Sequence, residues 1–411
     1  MSTECAVIIG ASHAGAGLAA HLRRGKWEGD IVLVGDEGTL PYQRPPLSKA
    51  YLAGTSTLDA LAIRAADFYD KQNIELVDAT VTGIDRRART VTLDTGITRS
   101  YSTLALCTGA RTRRLSTPGA DLLGIHYLRT AADSASLRSA ATPGKRVVVV
   151  GGGYIGLETA ASLNALGLDV TVVEATERVL ERVTAPEVSA FFTRIHQEAG
   201  VKIRTNALVE EFRGDGSVRE VVLAGGDTLP ADLVVAGVGI IPNTELAESA
   251  GIAVDNGIVI DSRARTDDPN ILAAGDCATF DIERYSRRVR LEGVCAANEH
   301  AKVAASTMTG GSATMAALPW FWSDQYDLKL QIAGLNTGYD DVVIDGDPER
   351  DRDFTCYYLR GGELIAADCI NRPRDFMASK KAIAERANVD RSSGVEPAGR
   401  QDIGGSRRRL V

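Results

Sequence analysis

Residues 146–174 have the sequence RVVVVGGGYIGLETAASLNALGLDVTVVE. Four consecutive valines before three glycines predict a buried strand, and residues 157–166 predict a helix that starts directly after the turn. Residues 170–173 predict a second strand, which ends at the acid Glu174. The order of strand, glycine turn, helix, strand and acid is typical of a unit that binds a dinucleotide.

The glycines of this turn have the spacing that suits a pyrophosphate. Gly151, Gly153 and Gly156 allow a tight turn in which backbone N–H groups approach an anion at the positive end of the helix. The acid at the end of the second strand accepts hydrogen bonds from ribose hydroxyls. The segment therefore predicts a complete dinucleotide site.

The same order occurs a second time near the start of the chain. A predicted strand leads into GASHAG at 10–15, and a predicted helix at 16–24 and strand at 31–34 lead to Asp36. Ser12 replaces the second glycine, and the last glycine and the acid are 21 residues apart, compared with 18 in the other copy. Two complete copies predict a protein that binds two dinucleotides, one held permanently and one exchanging.

Three further apolar segments support this prediction. Residues 104–110, 233–242 and 271–276 are predicted strands that carry small residues at or near their ends. Those residues are Thr108, Gly109, Gly237, Gly239, Gly275 and Asp276.

The composition argues against several other classes of protein. The 411 residues carry a formal net charge of −8, which excludes a generally basic nucleic-acid binder. The longest apolar stretches have about nine residues, half of the ~18 that span a bilayer, and no signal-peptide pattern opens the chain, so we expect a cytoplasmic protein that does not bind membranes. The six cysteines lack CxxC and CxxxxC spacing and the five histidines are scattered, so we expect free thiols and no metal site.

Several motifs identify a family. The chain resembles the two-dinucleotide-binding flavoproteins, and in particular the ferredoxin reductases of oxygenase systems (the putidaredoxin-reductase type), from residue 5 to about residue 385. The motifs that carry the resemblance are RPPLSK at 44–49, YLRT at 127–130, GGYIGLE at 152–158, GDC at 275–277 and PWFWSDQ at 319–325.

The resemblance implies an α/β fold with two Rossmann-like dinucleotide-binding domains, as in glutathione reductase, and a C-terminal α+β domain. The FAD-binding domain would comprise 1–109 and 241–318, with an NAD-binding domain, 110–240, inserted between its two parts. The C-terminal domain, 319–388, would contain strands at 328–332, 341–344, 354–359 and 363–370 and a helix at 374–388. Residues 389–411 are rich in Gly, Ser, Pro and Arg and are predicted to form a flexible tail.

The resemblance assigns FAD to the first dinucleotide motif. Asp36 would hold the adenosine ribose, Arg44 would contact the adenine end, and Asp276 would bind the ribityl hydroxyls. A helix that starts near Val294 would direct its N-terminus at the flavin. The other FAD contacts that the resemblance implies are Gly10, Ser12, His13, Ala14, Gly15, Lys49, Thr108, Gly109, Arg129, Gly275 and Trp322, with Thr130 beside Arg129.

The second motif is assigned to NAD. Glu174 predicts NADH rather than NADPH, because a carboxylate pairs with free ribose hydroxyls and repels a 2′-phosphate. Arg178, which we expect to face solvent, is the residue that would favour NADPH instead. The other NAD contacts implied are Gly151, Gly153, Tyr154, Ile155, Gly156, Glu158, Gly237 and Gly239.

Lys49, Glu158 and Trp322 are predicted to take part in the reaction itself. The resemblance implies that Lys49 lies near the N5 edge of the flavin and pairs with Glu158, which reaches the nicotinamide. An acid in the first turn of the helix could also simply complement the helix dipole. Trp322 belongs to an aromatic run of a kind that usually forms core, whereas the resemblance places one tryptophan over the flavin.

The segment 45–49 contains no cysteine, unlike its counterpart in the disulfide reductases of the superfamily, so electrons must leave the flavin directly. NADH delivers two electrons at once, an iron–sulfur protein accepts one, and a flavin mediates between them. The resemblance therefore implies a monomeric, NADH-dependent enzyme that reduces a separate [2Fe–2S] ferredoxin. That ferredoxin would serve a cytochrome P450 or a ring-hydroxylating oxygenase.

An acidic ferredoxin would require a local group of cations on this net-negative chain. The candidates are Arg284, Arg287, Arg288, Arg290, Lys380 and Lys381.

Two questions stay open at the level of sequence. Gly293, Cys295 and Ala296 stand where relatives tend to carry Ser, a polar residue and Asn, so the local flavin contacts are expected to differ. The alternative functions are a rubredoxin reductase, an NADH oxidase, and a redox-responsive binding protein like apoptosis-inducing factor.

Overall fold

The structure is a computed structural model that describes residues 4–386. Its helices are α1 (His13–Arg24), α2 (Ala66–Lys71), α3 (Ala131–Ala140), α4 (Tyr154–Ala165), α5 (Pro186–Glu198), α6 (Glu245–Ser249), α7 (Val294–Met308) and α8 (Pro373–Ala384). Its strands are β1 (Cys5–Ile9), β2 (Asp30–Gly35), β3 (Ile74–Asp78), β4 (Val81–Asp85), β5 (Thr90–Leu93), β6 (Thr98–Ser100), β7 (Thr103–Leu106), β8 (Ala110–Thr112), β9 (Ile125–Tyr127), β10 (Arg146–Val150), β11 (Asp169–Val173), β12 (Lys202–Arg204), β13 (Val209–Asp215), β14 (Ser217–Leu223), β15 (Thr228–Pro230), β16 (Leu233–Ala236), β17 (Ile240–Pro242), β18 (Ile258–Val259), β19 (Ile271–Ala273), β20 (Ala278–Ile282), β21 (Arg287–Val289), β22 (Trp320–Gln325), β23 (Leu328–Gly334), β24 (Asp341–Gly346), β25 (Phe354–Arg360) and β26 (Glu363–Ile370). The predicted tail, 389–411, lies outside the described residues.

The described residues divide into two compact units. Unit 1 comprises 4–44, 56–111 and 240–317, and unit 2 comprises 45–55, 112–239 and 318–386. Unit 1 contains the first glycine motif, while unit 2 contains the second motif and the region of the predicted C-terminal domain. The predicted division into three domains stays a prediction.

The short segment 45–55 belongs to unit 2 because hydrogen bonds hold its backbone there. The Ser162 hydroxyl on α4 donates to the Ser48 carbonyl at 2.6 Å, and the Arg138 guanidinium on α3 donates to the Tyr51 carbonyl at 3.1 Å. The segment therefore brings Lys49 to the helices of unit 2.

Each unit contains a five-stranded parallel sheet. The strand order is β19-β7-β1-β2-β3 in unit 1 and β12-β11-β10-β16-β9 in unit 2. The four valines of β10 are buried, as expected of a central strand covered on both faces. These two sheets and the C-terminal sheet of unit 2 confirm the predicted α/β fold class.

Three predicted strands are too long, and the shortest of them, predicted at 271–276, ends at Ala273. The strand predicted at 233–242 is interrupted after Ala236, because Gly239 adopts a φ of +97° before β17 begins. The strand predicted at 104–110 likewise leaves the parallel sheet after Leu106. In both places small and apolar residues continue beyond the last residue that pairs with β1 or β10.

The C-terminal part of unit 2 is an antiparallel sheet with strand order β22-β23-β26-β25-β24, and α8 packs against β23 and β26. Four of its strands agree with the predicted ones within two residues, whereas the sequence indicated β22 only as an aromatic run. The predicted helix at 374–388 is too long, since α8 ends at Ala384. Residues 387 and 388 lie outside the described part of the chain.

One carboxylate is fully buried within this sheet. The Tyr358 hydroxyl donates a hydrogen bond of 2.5 Å to Oδ2 of Asp368 on β26. Oδ1 of Asp368 has no hydrogen-bond partner among residues 4–386. Burial raises the pKa of Asp368 to about 7, although the bond from Tyr358 lowers it. The native state therefore keeps a proton that the unfolded chain releases near pH 4.

We expect the substitution Asp368→Asn to remove a pH-dependent loss of stability. The free energy of unfolding of the parent should fall by on the order of 3 kcal/mol as the pH rises from about 4 to 7, because over this range only the unfolded state releases the proton. The variant keeps a neutral acceptor for Tyr358 and should lose this slope in denaturant unfolding.

Asp327→Asn provides a control of opposite sign. The bond to Arg352 lowers the pKa of Asp327, so the stability that Asp327 contributes is present at neutral pH and is lost as the pH falls. Identical pH slopes in the parent and in Asp368→Asn would contradict the prediction.

Candidate dinucleotide and active site

The glycine turn of unit 2 packs too closely for a side chain at two of its three motif glycines. Gly151 has a φ of +107°, and a Cβ there would lie 2.4 Å from the Gly237 carbonyl oxygen. A Cβ on Gly156 would lie 2.1 Å from the Gly151 carbonyl oxygen, whereas a Cβ on Gly153 would meet nothing within 4 Å. Gly151 and Gly156 therefore permit the close packing, and Gly153 leaves open space at the start of α4.

This open space has the features of an anion site. Gly153 is the N-cap of α4, and without a side chain it leaves the first N–H groups of the helix to a ligand or water. The start of α3 differs, because Thr130 and Asp133 form a reciprocal capping box there and Arg129 N also donates to Asp133 Oδ2 at 3.0 Å. A pyrophosphate fits the start of α4 and not that of α3.

Glu174 follows β11 directly, and its carboxylate faces the glycine turn. Oε2 accepts a hydrogen bond from the Gly152 N–H at 2.7 Å, and Oε1 accepts one from the Thr176 N–H at 2.9 Å. The structure thus brings the predicted ribose ligand next to the turn predicted to hold the pyrophosphate.

The prediction that Arg178 faces solvent is wrong. Its guanidinium donates to the carbonyls of Glu181 and Thr184 at 3.0 and 2.9 Å and to the Ser189 hydroxyl at 2.5 Å. These three bonds hold the arginine in the loop before α5 and at the start of that helix. The Arg178 guanidinium, the group that would favour NADPH, is therefore used for hydrogen bonds within the protein.

The glycine turn of unit 1 repeats the same packing. Gly10 has a φ of +110°, and a Cβ there would lie 2.1 Å from the Cys107 carbonyl oxygen. A Cβ on Gly15 would lie 2.0 Å from the Gly10 carbonyl oxygen. Ser12 is the N-cap of α1, which starts at His13, but its hydroxyl does not cap the helix. The start of α1 therefore also leaves N–H groups for a pyrophosphate.

The acid of unit 1 is displaced by one residue relative to that of unit 2. The first glycine of each motif donates a backbone hydrogen bond of 2.8 Å to a strand carbonyl, that of Val34 in unit 1 and of Val173 in unit 2. Gly35 is therefore the counterpart of Glu174, and Asp36 lies one residue later. The rest of the longer interval lies in the connection from α1 to β2.

Arg44 joins the glycine turn of unit 1 to Glu37, which follows β2. Its Nε donates to the Ser12 hydroxyl at 3.1 Å, and its guanidinium forms an ion pair with Glu37 and stacks on the Tyr42 ring. Sequence reasoning named Arg44 and Asp36 but missed Glu37, for which the adjacent acidic pair was the available signal. Arg44 thus connects the glycine turn, through Ser12, to Glu37, the residue that follows the predicted ribose ligand Asp36.

The remaining predicted FAD contacts of unit 1 gather near the start of α7. Asp276 Oδ1 accepts a hydrogen bond from the Gly293 N–H at 3.1 Å, and α7 begins at Val294. Gly293 has a φ of +118°, a backbone conformation that glycine adopts without strain. A Cβ on Gly275 would lie 3.0 Å from the Cβ of Ala14 in α1. The two helix starts and the Gly-Asp turn therefore form one cluster.

Two supporting residues of this cluster were missed. The Thr108 hydroxyl, beside Gly109, donates to the Asn243 carbonyl at 2.6 Å, and the Asn243 amide donates back to the Thr108 carbonyl at 2.8 Å. Nδ1 of His300 accepts from the Gly275 N–H at 3.2 Å. Burial lowers the pKa of His300 to about 4, so the ring is neutral. Both contacts join residues that are far apart in the sequence, which offers no signal for them.

The structure brings the predicted pair of Lys49 and Glu158 into contact. Lys49 Nζ lies 2.5 Å from Glu158 Oε2, and the side chains are 21% and 3% exposed. The Ser48 hydroxyl donates to Oε2 at 2.7 Å, and the Ser323 hydroxyl donates to Oε1 at 2.7 Å. Three donors, one of them cationic, thus compensate for the burial of this carboxylate.

Glu158 is the fifth residue of α4 and does not lie in its first turn, contrary to the sequence-based expectation. The helix dipole acts mainly on the first turn, so it does not account for this acid. The ion pair with Lys49 accounts for it instead.

Aromatic rings connect the start of α4 to β22. The rings of Tyr154 and Phe321 are 5.1 Å apart, and the Trp322 ring lies 6.4 Å from Phe321 and 5.7 Å from Trp320. Ile155, the second residue of α4, is exposed. Trp322 is only partly buried, so it is not an ordinary core residue.

Residues 4–386 contain neither a membrane-spanning helix nor a cluster of metal ligands. No helix in this range combines the length and the apolar character that crossing a membrane would need. The same range contains no group of three or more His, Cys, Asp or Glu side chains arranged to hold a metal ion. None of the six cysteines, all of which lie in this range, forms a disulfide, and four of them are buried.

Comparison with known proteins gives the class of this protein. Residues 5–301 match the family model described as pyridine nucleotide-disulphide oxidoreductase, and residues 320–399 match the model described as reductase C-terminal. The first match covers more than half of the chain. The protein therefore belongs to the pyridine nucleotide-disulphide oxidoreductase family.

Individual relatives narrow the class. The chain is 45% identical to putidaredoxin reductase from Pseudomonas putida over 93% of its own length and 92% of that protein. It is 44% identical to rhodocoxin reductase from Rhodococcus erythropolis over 92% of its own length and 89% of that protein. The reductase in the crystal structure of a covalent putidaredoxin reductase–putidaredoxin complex superposes with a TM-score of 0.92 at 44% identity, covering 95% of this chain and 97% of that one. The predicted resemblance is confirmed.

We expect Gly153→Asp to preserve the fold and to weaken binding of NADH. Aspartate is a favourable N-cap, so the thermal midpoint should stay level or rise slightly. Its negative charge should repel a pyrophosphate at the start of α4 and raise the KM for NADH at least about tenfold. Steady-state kinetics and thermal unfolding of the same sample measure both effects.

Gly153→Asn is the matched control, since it adds a side chain of the same shape without the charge and should raise the KM less. Gly151→Ala should instead lower the thermal midpoint. The alanine would have to adopt a positive φ, and its Cβ would collide with the Gly237 carbonyl oxygen. A normal KM in Gly153→Asp would mean that the pyrophosphate lies elsewhere.

Proposed function

We propose that this protein takes a hydride from NADH onto FAD and passes the electrons singly to a [2Fe–2S] ferredoxin. That ferredoxin would supply a cytochrome P450 or a ring-hydroxylating oxygenase. The observation that carries the proposal is the ion pair of Lys49 with the buried Glu158. Lys49 belongs to the segment 45–49, which lacks the redox cysteines that its counterpart in disulfide reductases carries. The similarity to putidaredoxin reductase, and to its complex with putidaredoxin, supports the choice of acceptor.

The residues of unit 1 would hold the FAD. When bound, FAD supplies an acceptor for hydride and a donor of single electrons. The turn at 10–15 would bind its pyrophosphate, Arg44 and the acids Asp36 and Glu37 its adenosine, and Asp276 its ribityl chain. The start of α7, fixed by the bond from Gly293 to Asp276, would direct a positive helix end at the ring.

The residues of unit 2 would orient the NADH. Glu174 would accept the ribose hydroxyls, and the N–H groups at Gly153 would bind the pyrophosphate. A carboxylate offers about four acceptor positions, and three of those of Glu158 are occupied by protein donors. The remaining position is suited to the amide of the nicotinamide. Lys49 would hold Glu158 in place and keep a positive charge beside the flavin.

The acidic ferredoxin would dock through positively charged side chains. The candidate cations differ in whether nearby acids balance their charge. Arg288 lies 3.2 Å from Asp255 and 3.1 Å from Asp281, so that its charge is largely balanced. Lys380 lies 5.0 Å from the centre of the Trp320 ring, next to Met377, which is 62% exposed. A cation beside exposed apolar side chains suits an acidic protein partner. We therefore propose that the ferredoxin docks at the surface formed by Lys380, Trp320 and Met377.

We also propose that the enzyme is cytoplasmic and monomeric.

Anaerobic, NADH-driven reduction of cytochrome c with a panel of [2Fe–2S] ferredoxins and rubredoxins tests the proposal. One ferredoxin should stimulate the rate strongly. Lys380→Glu should raise the KM for that ferredoxin several-fold, Arg287→Glu with Arg288→Glu should raise it less, and reduction of ferricyanide by NADH should stay unchanged in all of them. Lys202→Glu is the control, because it reverses an exposed charge that pairs with Asp169.

The possible results of this experiment separate the alternatives. Stimulation by rubredoxin alone would identify a rubredoxin reductase. Flavin bleaching by NADH without stimulation by any carrier would contradict the ferredoxin proposal and would favour an oxidase or a redox-responsive binding protein.

Glu174→Ala should weaken NADH binding and reduce the preference for NADH over NADPH. Loss of charge-assisted bonds to the ribose should raise the KM for NADH about tenfold. Glu177→Ala removes a nearby exposed acid of the same charge and should leave the ratio of the two KM values unchanged. An unaltered ratio in Glu174→Ala would argue against the ribose role.

A further inference from the structure

Hydrogen bonds continue from Glu158 through unit 2 to its surface. Ser323 Oγ, which donates to Glu158 Oε1, lies 3.2 Å from Gln325 Nε2. Gln325 Oε1 lies 2.9 Å from His196 Nε2, and His196 Nδ1 lies 3.0 Å from the Tyr326 hydroxyl. The first three side chains are buried and Tyr326 is 37% exposed. We call Ser323, Gln325, His196 and Tyr326 the His196 network.

The charge of Glu158 sets the direction of every bond in this network. An ionised carboxylate only accepts hydrogen bonds, so the single proton of Ser323 points at Glu158 and Ser323 accepts from the Gln325 amide. The carbonyl of Gln325 must then face His196. The imidazole therefore carries its proton on Nε2 and accepts at Nδ1 from Tyr326. Burial lowers the pKa of His196, in agreement with a neutral ring.

The last member of the network is held in an unfavourable backbone conformation. Tyr326 and Asp327 form the two-residue turn between β22 and β23, and Tyr326 has a φ of +56°. Glycine and asparagine are the residues that usually occupy such a position. The tyrosine ring lies edge-on to His196, with 5.1 Å between the ring centres. A strained residue kept in such contact is expected to have a role beyond forming the turn.

We propose that the His196 network is a positioning network that keeps Ser323 a permanent donor to Glu158 and so holds the carboxylate in one orientation. This inference rests on the proposed function, in which Glu158 contacts the nicotinamide. The members of the network act through Glu158 and need not touch a cofactor. The orientation of the carboxylate then depends on α5, which carries His196, and on the turn at Tyr326.

The substitution Glu158→Gln should reverse the network. Lys49 can only donate, so the amide oxygen of Gln at 158 must face it and the amide NH2 must face Ser323. Ser323 then accepts and turns its own proton to Gln325. The Gln325 amide must flip, and its NH2 group faces the imidazole of His196. His196 can satisfy that donor only by moving its proton from Nε2 to Nδ1.

Nitrogen-15 NMR of histidine-labelled holoenzyme without NADH observes this directly, with the His196 signals assigned through His196→Gln. The parent should carry the Nε2–H tautomer of His196 and Glu158→Gln the Nδ1–H tautomer. Glu158→Gln combined with Ser323→Ala should retain the Nε2–H tautomer of His196, because the hydroxyl that links residue 158 to Gln325 is then missing. Glu174→Gln, a neutralised acid outside the network, should leave His196 unchanged.

An unchanged tautomer in folded Glu158→Gln would overturn the inference, and so would a tautomer change that survives the removal of Ser323. Ser323→Ala alone should lower the maximal rate of flavin reduction by NADH about tenfold while the KM stays within about twofold, as expected for positioning. Tyr326→Phe, at a half-exposed site, should have a smaller effect in the same direction. Phe192→Leu, a substitution at a buried residue outside the His196 network, is the control. If it lowers the maximal rate of flavin reduction as much as Ser323→Ala does, the effect of Ser323→Ala is merely structural.

The same variants distinguish a failure of the network from a failure of the proposed function. If Glu158→Gln changes the His196 tautomer but reduces flavin at the rate of the parent, the network stands and the proposed contact of Glu158 with the nicotinamide is wrong. If the rate falls and the tautomer does not change, the contact stands and the network is wrong.

Discussion

The organisation of unit 2 depends on the compensation of one buried negative charge. A carboxylate that is almost inaccessible to water is tolerated only where donors and a countercharge surround it. The groups that donate hydrogen bonds to Glu158 come from distant parts of the chain. Ser48 and the positively charged Lys49 belong to the segment 45–55, and Ser323 belongs to β22. The requirement ties both segments to the helix whose start forms the dinucleotide turn.

The two glycine motifs show which parts of such a turn are constrained and which are free to vary. Gly10 and Gly15 in one unit, and Gly151 and Gly156 in the other, have backbone atoms where a side chain would lie. At the middle position one unit has Gly153, where a Cβ would meet nothing within 4 Å, and the other has Ser12, whose hydroxyl accepts a hydrogen bond from Arg44. The acids after the second strand also differ in position, since Asp36 lies one residue beyond Gly35, the counterpart of Glu174.

Much of the fold and part of the site could be predicted from local patterns. The glycine turns and their strands follow from motifs of a few residues each, whereas the pairing of Lys49 with Glu158, 109 positions apart, was implied only by the resemblance to the ferredoxin reductases. The contacts of Glu158 with Ser323, and of Gln325 with His196, join residues more than a hundred positions apart, and no short pattern encodes them. Strand ends at 106 and 236 were misjudged because apolar composition does not reveal where pairing stops.

The order in which the two units can be completed follows from how the chain runs between them. Unit 1 is interrupted at 45–55 and again at 112–239, and its edge strand β19 pairs with β7 from the far side of the second interruption. During synthesis the parallel sheet of unit 2 therefore emerges from the ribosome before the sheet of unit 1 has all its strands. Until residues 271–273 have been synthesised, the edge of β7 that pairs with β19 has no partner strand. An unpaired strand edge of this kind is exposed to misassociation with other chains.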